Sequence, residues 1–227
     1  PLNLNERLSE KLNARIFFKR EDLQKVRSFK IRGAFNKIKS LNLQDTQHSQ
    51  KIICASAGNH AQGVAYSCNK LKIFGTIYMP ETTPKQKVER VKMFGGDFIE
   101  IILVGDTFDD AQKEAQKQLN NDSVFIHPFD DKEVIEGQGT VALEILDQID
   151  KHFDYLIIPI GGGGLIAGII SVFKELSPKT KIIGVEAQGA PAMHDSLKQN
   201  KIIELKKIDN FVDGVSIKKI GEIAFKI

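Results

Sequence analysis

The chain has 227 residues, 41% of them apolar, which is enough to fill one large or two modest α/β cores and excludes both a disordered chain and a miniature disulfide scaffold. Its 32 basic and 29 acidic residues leave a net charge of +3, far from the excess of a dedicated nucleic-acid binder, so no nucleic-acid partner is expected. The charge is uneven: residues 1–40 carry +7 and the remainder −4, which fits either an anionic ligand near the N-terminal segment or a solvated basic face.

Along the chain, apolar runs of strand length alternate with stretches whose apolar residues recur at helical spacing, the pattern of parallel β-α units. Strands are expected at 15–19, 51–55, 74–79, 98–103, 124–126, 155–160 and 181–186, and helices at 31–41, 59–71, 85–94, 108–120, 133–148, 165–175 and 190–199. The polar segment 42–50 reads as a surface loop. Thr83-Pro84 opens one helix, Gly95-Gly96 closes it, and Ser177-Pro178 stops another. Tyr155-Leu-Ile-Ile-Pro-Ile160 is the clearest continuous apolar run, so it is expected to lie centrally in a sheet with both faces covered. Cys54 and Cys68 sit in apolar surroundings as small reduced hydrophobes, which suits a cytoplasmic location. No run reaches membrane-spanning length and no membrane partner is expected; the sequence opens Pro1-Leu2-Asn3 without methionine, as a trimmed piece of a longer protein would.

Three segments stand at strand-to-helix junctions, where ligands gather in open α/β sheets. In Ser28-Phe29-Lys30-Ile31-Arg32-Gly33-Ala34, Lys30 is the residue of interest. A nucleophilic lysine needs desolvation or nearby positive charge, which Phe29 and the cluster Lys25, Arg27 and Arg32 offer; a snorkelling surface lysine fits the same residues. Ser56-Ala57-Gly58-Asn59-His60 leaves helix-start amides for a carboxylate or phosphate, or forms a plain capping turn. His60, His127 and His194 have no partners at metal-ligand spacing, so no metal is expected. Gly161-Gly162-Gly163-Gly164-Leu165 is a phosphate-loop candidate because four bare glycines keep no side chain between an anion and the amides. Glu186, twenty-three residues after Gly163, keeps a dinucleotide reading open, although Ile166 replaces the third small residue and Leu165 stands where a Walker lysine would.

Taken together, these segments resemble the fold-type II pyridoxal-phosphate enzymes, and among them the threonine dehydratases. The likeness extends to Phe18-Lys19-Arg20-Glu21-Asp22-Leu23-Gln24, to Met79-Pro80 with Thr83-Pro84-Lys85, to Gly105-Asp106-Thr107-Phe108, to Gly137-Gln138-Gly139-Thr140 and to Phe211-Val212-Asp213-Gly214-Val215. The resemblance implies an α/β fold of two lobes with open, twisted, mostly parallel sheets and flanking helices, like the tryptophan synthase β chain. Residues 24–124 would form the small lobe, and 1–23 with 125–227 the large one, cut short at its C-terminus.

The implied cofactor is pyridoxal 5'-phosphate. Lys30 would be its Schiff-base lysine and general base, Phe29 would lie against its ring, Asn59 would bond its ring hydroxyl, and Gly161, Gly162, Gly163, Gly164 and Leu165, with Gly214, would hold it. Ser56 with Ala57, Gly58, Asn59 and His60 would hold the substrate carboxylate. The implied reaction eliminates the β-hydroxyl of L-threonine to give 2-oxobutanoate and ammonia, the first step of isoleucine biosynthesis, and converts L-serine to pyruvate. The assembly implied is a homo-oligomer, dimer or tetramer. Ala57 stands where serine racemases carry a second serine, so elimination is expected over racemisation. Ala192 stands where related enzymes place a cation-binding acid six residues after Glu186. The Ser-Gly-Gly-Asn-like turn that would partner the pyridine nitrogen is not among these residues. Serine dehydratase and serine racemase remain alternatives within the resemblance, and a nucleotide-dependent oxidoreductase or a non-catalytic anion-binding protein outside it.

Overall fold

A computed structural model describes residues 1–41, 50–149 and 152–227; the expected loop at 42–50 lies outside the described residues except for Gln50. The chain opens with two elements that the periodicity did not reveal, β1 (Leu2–Leu4) and α1 (Glu6–Leu12). The Asn5 side chain accepts from the Leu8 amide and starts α1, and β1 pairs antiparallel with β2 (Phe17–Lys19), all that forms of the strand expected at 15–19. α2 (Lys30–Ser40) begins one residue earlier than its spacing suggests, so Lys30 belongs to a helix.

β3 (Lys51–Ala55), α3 (Asn59–Leu71), β4 (Gly75–Met79), α4 (Lys85–Gly95), β5 (Ile99–Leu103), α5 (Phe108–Lys117) and β6 (Ser123–Phe125) follow as strand-helix units. The four strands form one parallel sheet in the order β5-β4-β3-β6. β3 and β4 are its best-covered strands. Ile52 and Cys54 face the core shared by α2, α3 and α4, while Ile53 and Ala55 face Ala111 and Ala115 of α5. Each fully buried isoleucine there stabilises the fold by about 1.5–3 kcal/mol relative to exposure. Cys54 and Cys68 are buried and unpaired, and burial pushes both thiols up, Cys68 to about 12, so they pack as inert apolar groups.

α6 (Lys132–Asp147), β7 (Tyr155–Pro159), α7 (Gly164–Leu176), β8 (Lys181–Val185), α8 (Ala192–Gln199) and the short α9 (Glu222–Lys226) build a second core. Among the described residues β7, the strand expected to lie centrally, pairs with β8, in parallel. Leu156, Ile158 and Ile182 turn inward to the core, whereas Tyr155, Ile157, Ile183 and Val185 are exposed. Among the described residues this apolar run is covered on one face, and β3 and β4 are covered on both.

The two cores are joined by helices that cross at glycines. A Cβ on Gly63 of α3 would stand 3.0 Å from the Lys30 carbonyl of α2, and one on Gly137 of α6 would stand 2.6 Å from the Arg32 carbonyl. Farther along α6, a Cβ on Gly168 of α7 would stand 2.6 Å from the Gly139 amide nitrogen. Hydrogen at these places lets α3, α2, α6 and α7 pack backbone to backbone in one row. Gly168→Ala is therefore expected to destabilise: the gain of about 1 kcal/mol from helix propensity is outweighed by an overpacking cost of about 1–3 kcal/mol. Urea denaturation should show a lower midpoint; a higher one would mean that α6 and α7 separate freely.

Candidate active site

Lys30 is the first residue of α2, with Phe29 before it. Its Nζ donates to the Pro128 carbonyl at 2.6 Å and lies 5.6 Å from the centre of the Phe29 ring. Burial pushes the amine down to about 8, so about half of it is neutral at pH 8, against less than about 1% for a lysine at its ordinary value. The neighbouring positive charges expected to do this are not the cause. Lys25 and Arg27 are exposed, and the Arg32 guanidinium is turned to Glu21 and Glu144, leaving desolvation as the source of the shift.

The carbonyl that receives Lys30 belongs to a turn after β6, residues 126–131, which the sequence reading left without a role. The His60 Nε2 lies 2.8 Å from the Ile126 carbonyl. A carbonyl only accepts, so Nε2 carries the proton, and the buried Nδ1 of His60 is left bare and without a partner. Burial first, and then the charge of Lys30, push His60 down to about 3. The His127 Nδ1 accepts from the amides of Phe129 at 3.3 Å and Asp130 at 2.8 Å, so this ring is also neutral with its proton on Nε2; burial lowers its pKa.

Two aspartates finish the turn. Asp130 accepts from the amides of Glu222 and Ile223, both at 2.9 Å, and so starts α9. Asp131 caps α6 through the Val134 amide and pairs with Lys37 of α2 at 2.9 Å. The one signal that points to this segment is its place at the carboxyl end of a parallel strand, shared with the segments after β3 and β7.

Those two segments present helix starts. After β3, the Ser56 hydroxyl accepts from the Gly58 amide at 3.2 Å, Gly58 begins α3, and a Cβ on it would meet nothing within 4 Å. Asn59 is exposed in the first turn, Ala57 and Gly58 are half-buried, and Ser56 and His60 are buried. After β7, Gly163 takes φ +93° and begins α7, with Leu165 half-buried in the first turn.

The expectation that the glycines bare themselves to an anion is corrected in part. Protein fills the side-chain face of all four: the Phe129 ring lies where a Gly162 side chain would be, Ala224 and Met193 close on Gly163, the Val215 Cα would stand 3.1 Å from a Cβ on Gly161, and the Phe129 carbonyl oxygen 2.8 Å from one on Gly164. What remains for an anion is the first turn of α7. Gly214 is exposed, and a Cβ there would meet nothing within 4 Å; the neighbouring Val215 is the residue that reaches the loop.

Side chains cap some of the helix starts and leave others uncapped. Side chains of Asn5, Thr107 and Asp131 cap α1, α5 and α6, and Glu186 caps α8, accepting from the amides of Met193 at 2.8 Å and His194 at 2.7 Å. Glu186 is thereby committed to a helix start, away from the ribose or cation role the sequence left open. α2, α3, α4 and α7 carry no such cap, and of these α3 and α7 begin at the two junctions after β3 and β7. Each helix N-terminus offers partial positive charge to an anion.

Two residues after Lys30, Arg32 makes paired hydrogen bonds of 2.7–2.8 Å to Glu21 and to Glu144 and a further one to the Thr140 hydroxyl at 3.0 Å; Lys19 also pairs with Glu144. This network ties α2 to α6 and to the N-terminal strands. The Arg32 guanidinium holds the Glu144 carboxyl down at about 2.

A lysine of lowered basicity, an aromatic ring beside it, and uncapped helix starts at the carboxyl ends of parallel strands suit an anionic carbonyl compound, and a phosphorylated aldehyde fits these residues. The profile of the family described as pyridoxal-phosphate dependent enzyme matches residues 1–227. The L-threonine dehydratase biosynthetic IlvA of Halalkalibacterium halodurans is 55% identical over 100% of this chain and 54% of its own length, and that of Bacillus subtilis 53% identical over 100% and 53%. The processed form of threonine deaminase isoform 2 from Solanum lycopersicum superposes with a TM-score of 0.93 at 46% identity, covering 99% of this chain and 61% of that one. Maize serine racemase superposes with a TM-score of 0.90 at 34% identity, covering 100% and 67%. The chain belongs to the pyridoxal-phosphate dependent enzyme family, and pyridoxal 5'-phosphate is the cofactor of that family. It spans about half the length of the curated relatives it matches.

The Glu144 pairing has a pH signature. Its carboxyl lies below the ordinary value in the fold, so its stabilisation is complete above about pH 4.5 and is lost as pH falls toward 2. Glu144→Gln should be less stable than the parent at pH 7, with the difference vanishing toward about pH 2; denaturant titrations across that range check it.

Proposed function

We propose that the protein carrying this chain deaminates L-threonine to 2-oxobutanoate and ammonia, and L-serine to pyruvate, as a biosynthetic threonine dehydratase. The observation that carries the reading is the Lys30 amine, held on the Pro128 carbonyl beside the Phe29 ring with its basicity lowered by burial; the names of the relatives at 53–55% identity supply the substrate. Pyridoxal 5'-phosphate, when bound, supplies an aldehyde that condenses with amines and a ring that accepts electron density from the activated carbon.

The residues divide the remaining work. The amides of Gly163, Gly164 and Leu165 at the start of α7 hold the phosphate, Phe29 lies against the ring, and Asn59 bonds the ring hydroxyl. Ser56 and the first-turn amides of α3 hold the substrate carboxylate and fix the Cα proton toward Lys30, whose neutral Nζ takes it as general base. Phe129 packs the glycine loop and keeps water from its inner face. Ala57 has no group that moves a proton on the opposite face of the substrate, which favours elimination over racemisation. The site lies between the lobes formed by residues 24–124 and by 1–23 with 125–227. Buried, unpaired Cys54 and Cys68 suit a cytoplasmic enzyme; among the described residues no helix is long and apolar enough to cross a membrane. The family resemblance brings with it a homo-oligomer, dimer or tetramer.

Pyridoxal phosphate followed by borohydride should label Lys30 in the complete protein, and Lys30→Ala should lose the label and lower turnover by about 10²-fold or more. Label on another lysine, or turnover kept by the variant, overturns the assignment. Chiral analysis of products from L-serine should show pyruvate with little D-serine; abundant D-serine would move the protein to the racemases.

A further inference from the structure

The geometry points to His60 and His127 as paired positioning residues: two neutral imidazoles clamp the turn at residues 126–130 so that the Pro128 carbonyl holds the Lys30 amine in its desolvated place. His60 reaches from α3 and grips the Ile126 carbonyl at 2.8 Å, upstream of Pro128. His127 folds its own ring back onto the amides of Phe129 and Asp130, downstream of Pro128. The proline carbonyl between these anchors is the acceptor of Lys30 Nζ at 2.6 Å. Proline has no amide hydrogen with which to anchor itself, so its position depends on its neighbours.

Both rings must be neutral for this. A protonated His127 has no acceptor on Nδ1 and would release the two amides, and a protonated His60 would put an uncompensated charge into a buried site beside an ammonium. The titratable groups around the amine are His60 from α3 and His127, with Asp130 and Asp131 acting on His127 from the same turn. The nearest cation in α2, Arg32, is neutralised by Glu21 and Glu144. The bare, buried Nδ1 of His60 follows from the same arrangement: the ring is placed for what its Nε2 holds, and no neighbour requires its other nitrogen.

The inference deepens the proposed function and rests on Lys30 being the amine the site presents, so the test reads that amine without cofactor or turnover. Competitive acylation of the complete apoprotein across pH, read at Lys30 by peptide mapping, gives the midpoint at which the amine becomes reactive. His60→Gln retains an N–H for the Ile126 carbonyl, and His127→Asn retains an oxygen for the two amides; both are expected to keep the parent midpoint near 8. His60→Leu and His127→Leu remove the anchors, admit water to the amine and should raise the midpoint by about one pH unit or more, toward the ordinary lysine value. Leucine variants at the parent midpoint, or conservative variants shifted as far as the leucine ones, overturn the clamp.

A second measurement decides the matter even where a leucine variant does not fold. Nitrogen-15 NMR of the unaltered protein at about pH 8 should show both rings as Nε2–H tautomers, with His60 not titrating between about pH 5 and 8; a proton on Nδ1 of either ring, or titration of His60 in that range, overturns it. If the midpoints behave as expected while borohydride labels another lysine, the cofactor assignment fails and the clamp stands; the converse result separates them the other way.

Discussion

The hydrogen bond from Lys30 Nζ to the Pro128 carbonyl is the contact on which the site's geometry depends. An amine removed from water needs an acceptor, and supplying one from the turn after β6 commits that turn on every side. Its first carbonyl goes to His60, its ring at position 127 holds two of its own amides, Phe129 fills the space beside the glycine loop, Asp130 starts α9, and Asp131 caps α6 and pairs with α2. A segment of six residues therefore sets the amine, the loop and three helices relative to one another.

The helix row gives that arrangement its stiffness. α3, α2, α6 and α7 meet at Gly63, Gly137, Gly139 and Gly168, where a single methyl group would collide with backbone. Backbone-to-backbone packing has no side-chain rotamers to absorb a displacement, so a shift of one helix is passed to the next. The amine on α2 and the uncapped starts of α3 and α7 are held in register by this row.

Charge is allocated with the same economy. Most helix starts are satisfied by a side chain, including two by distant carboxylates, Asp130 for α9 and Glu186 for α8. Arg32, the strongest cation near Lys30, is fully occupied by Glu21 and Glu144. These pairings leave the starts of α2, α3, α4 and α7 without a side-chain cap; the starts of α3 and α7, with a lysine that loses its own charge readily, suit an anionic electrophile.

Much of this was legible in the chain itself. The alternation of apolar runs and helical spacing gave the parallel β-α order, because each unit must hide one face; the glycine loop, the Ser56–His60 junction and Lys30 stood out because they follow strand ends. Three matters were settled only by tertiary structure. Which residues of the apolar run at 155–160 face a core is decided by α6 and α7: Leu156 and Ile158 turn toward them, and among the described residues Tyr155 and Ile157 are exposed. The depressed basicity of Lys30 looked like the work of adjacent cations, but charges close in sequence were turned away by helical geometry and burial did the work instead. The turn at 126–131 carries no periodic or compositional mark, since its function lies in single hydrogen bonds to residues 66 to 98 positions away, and pairings at that separation exist only once the chain has folded.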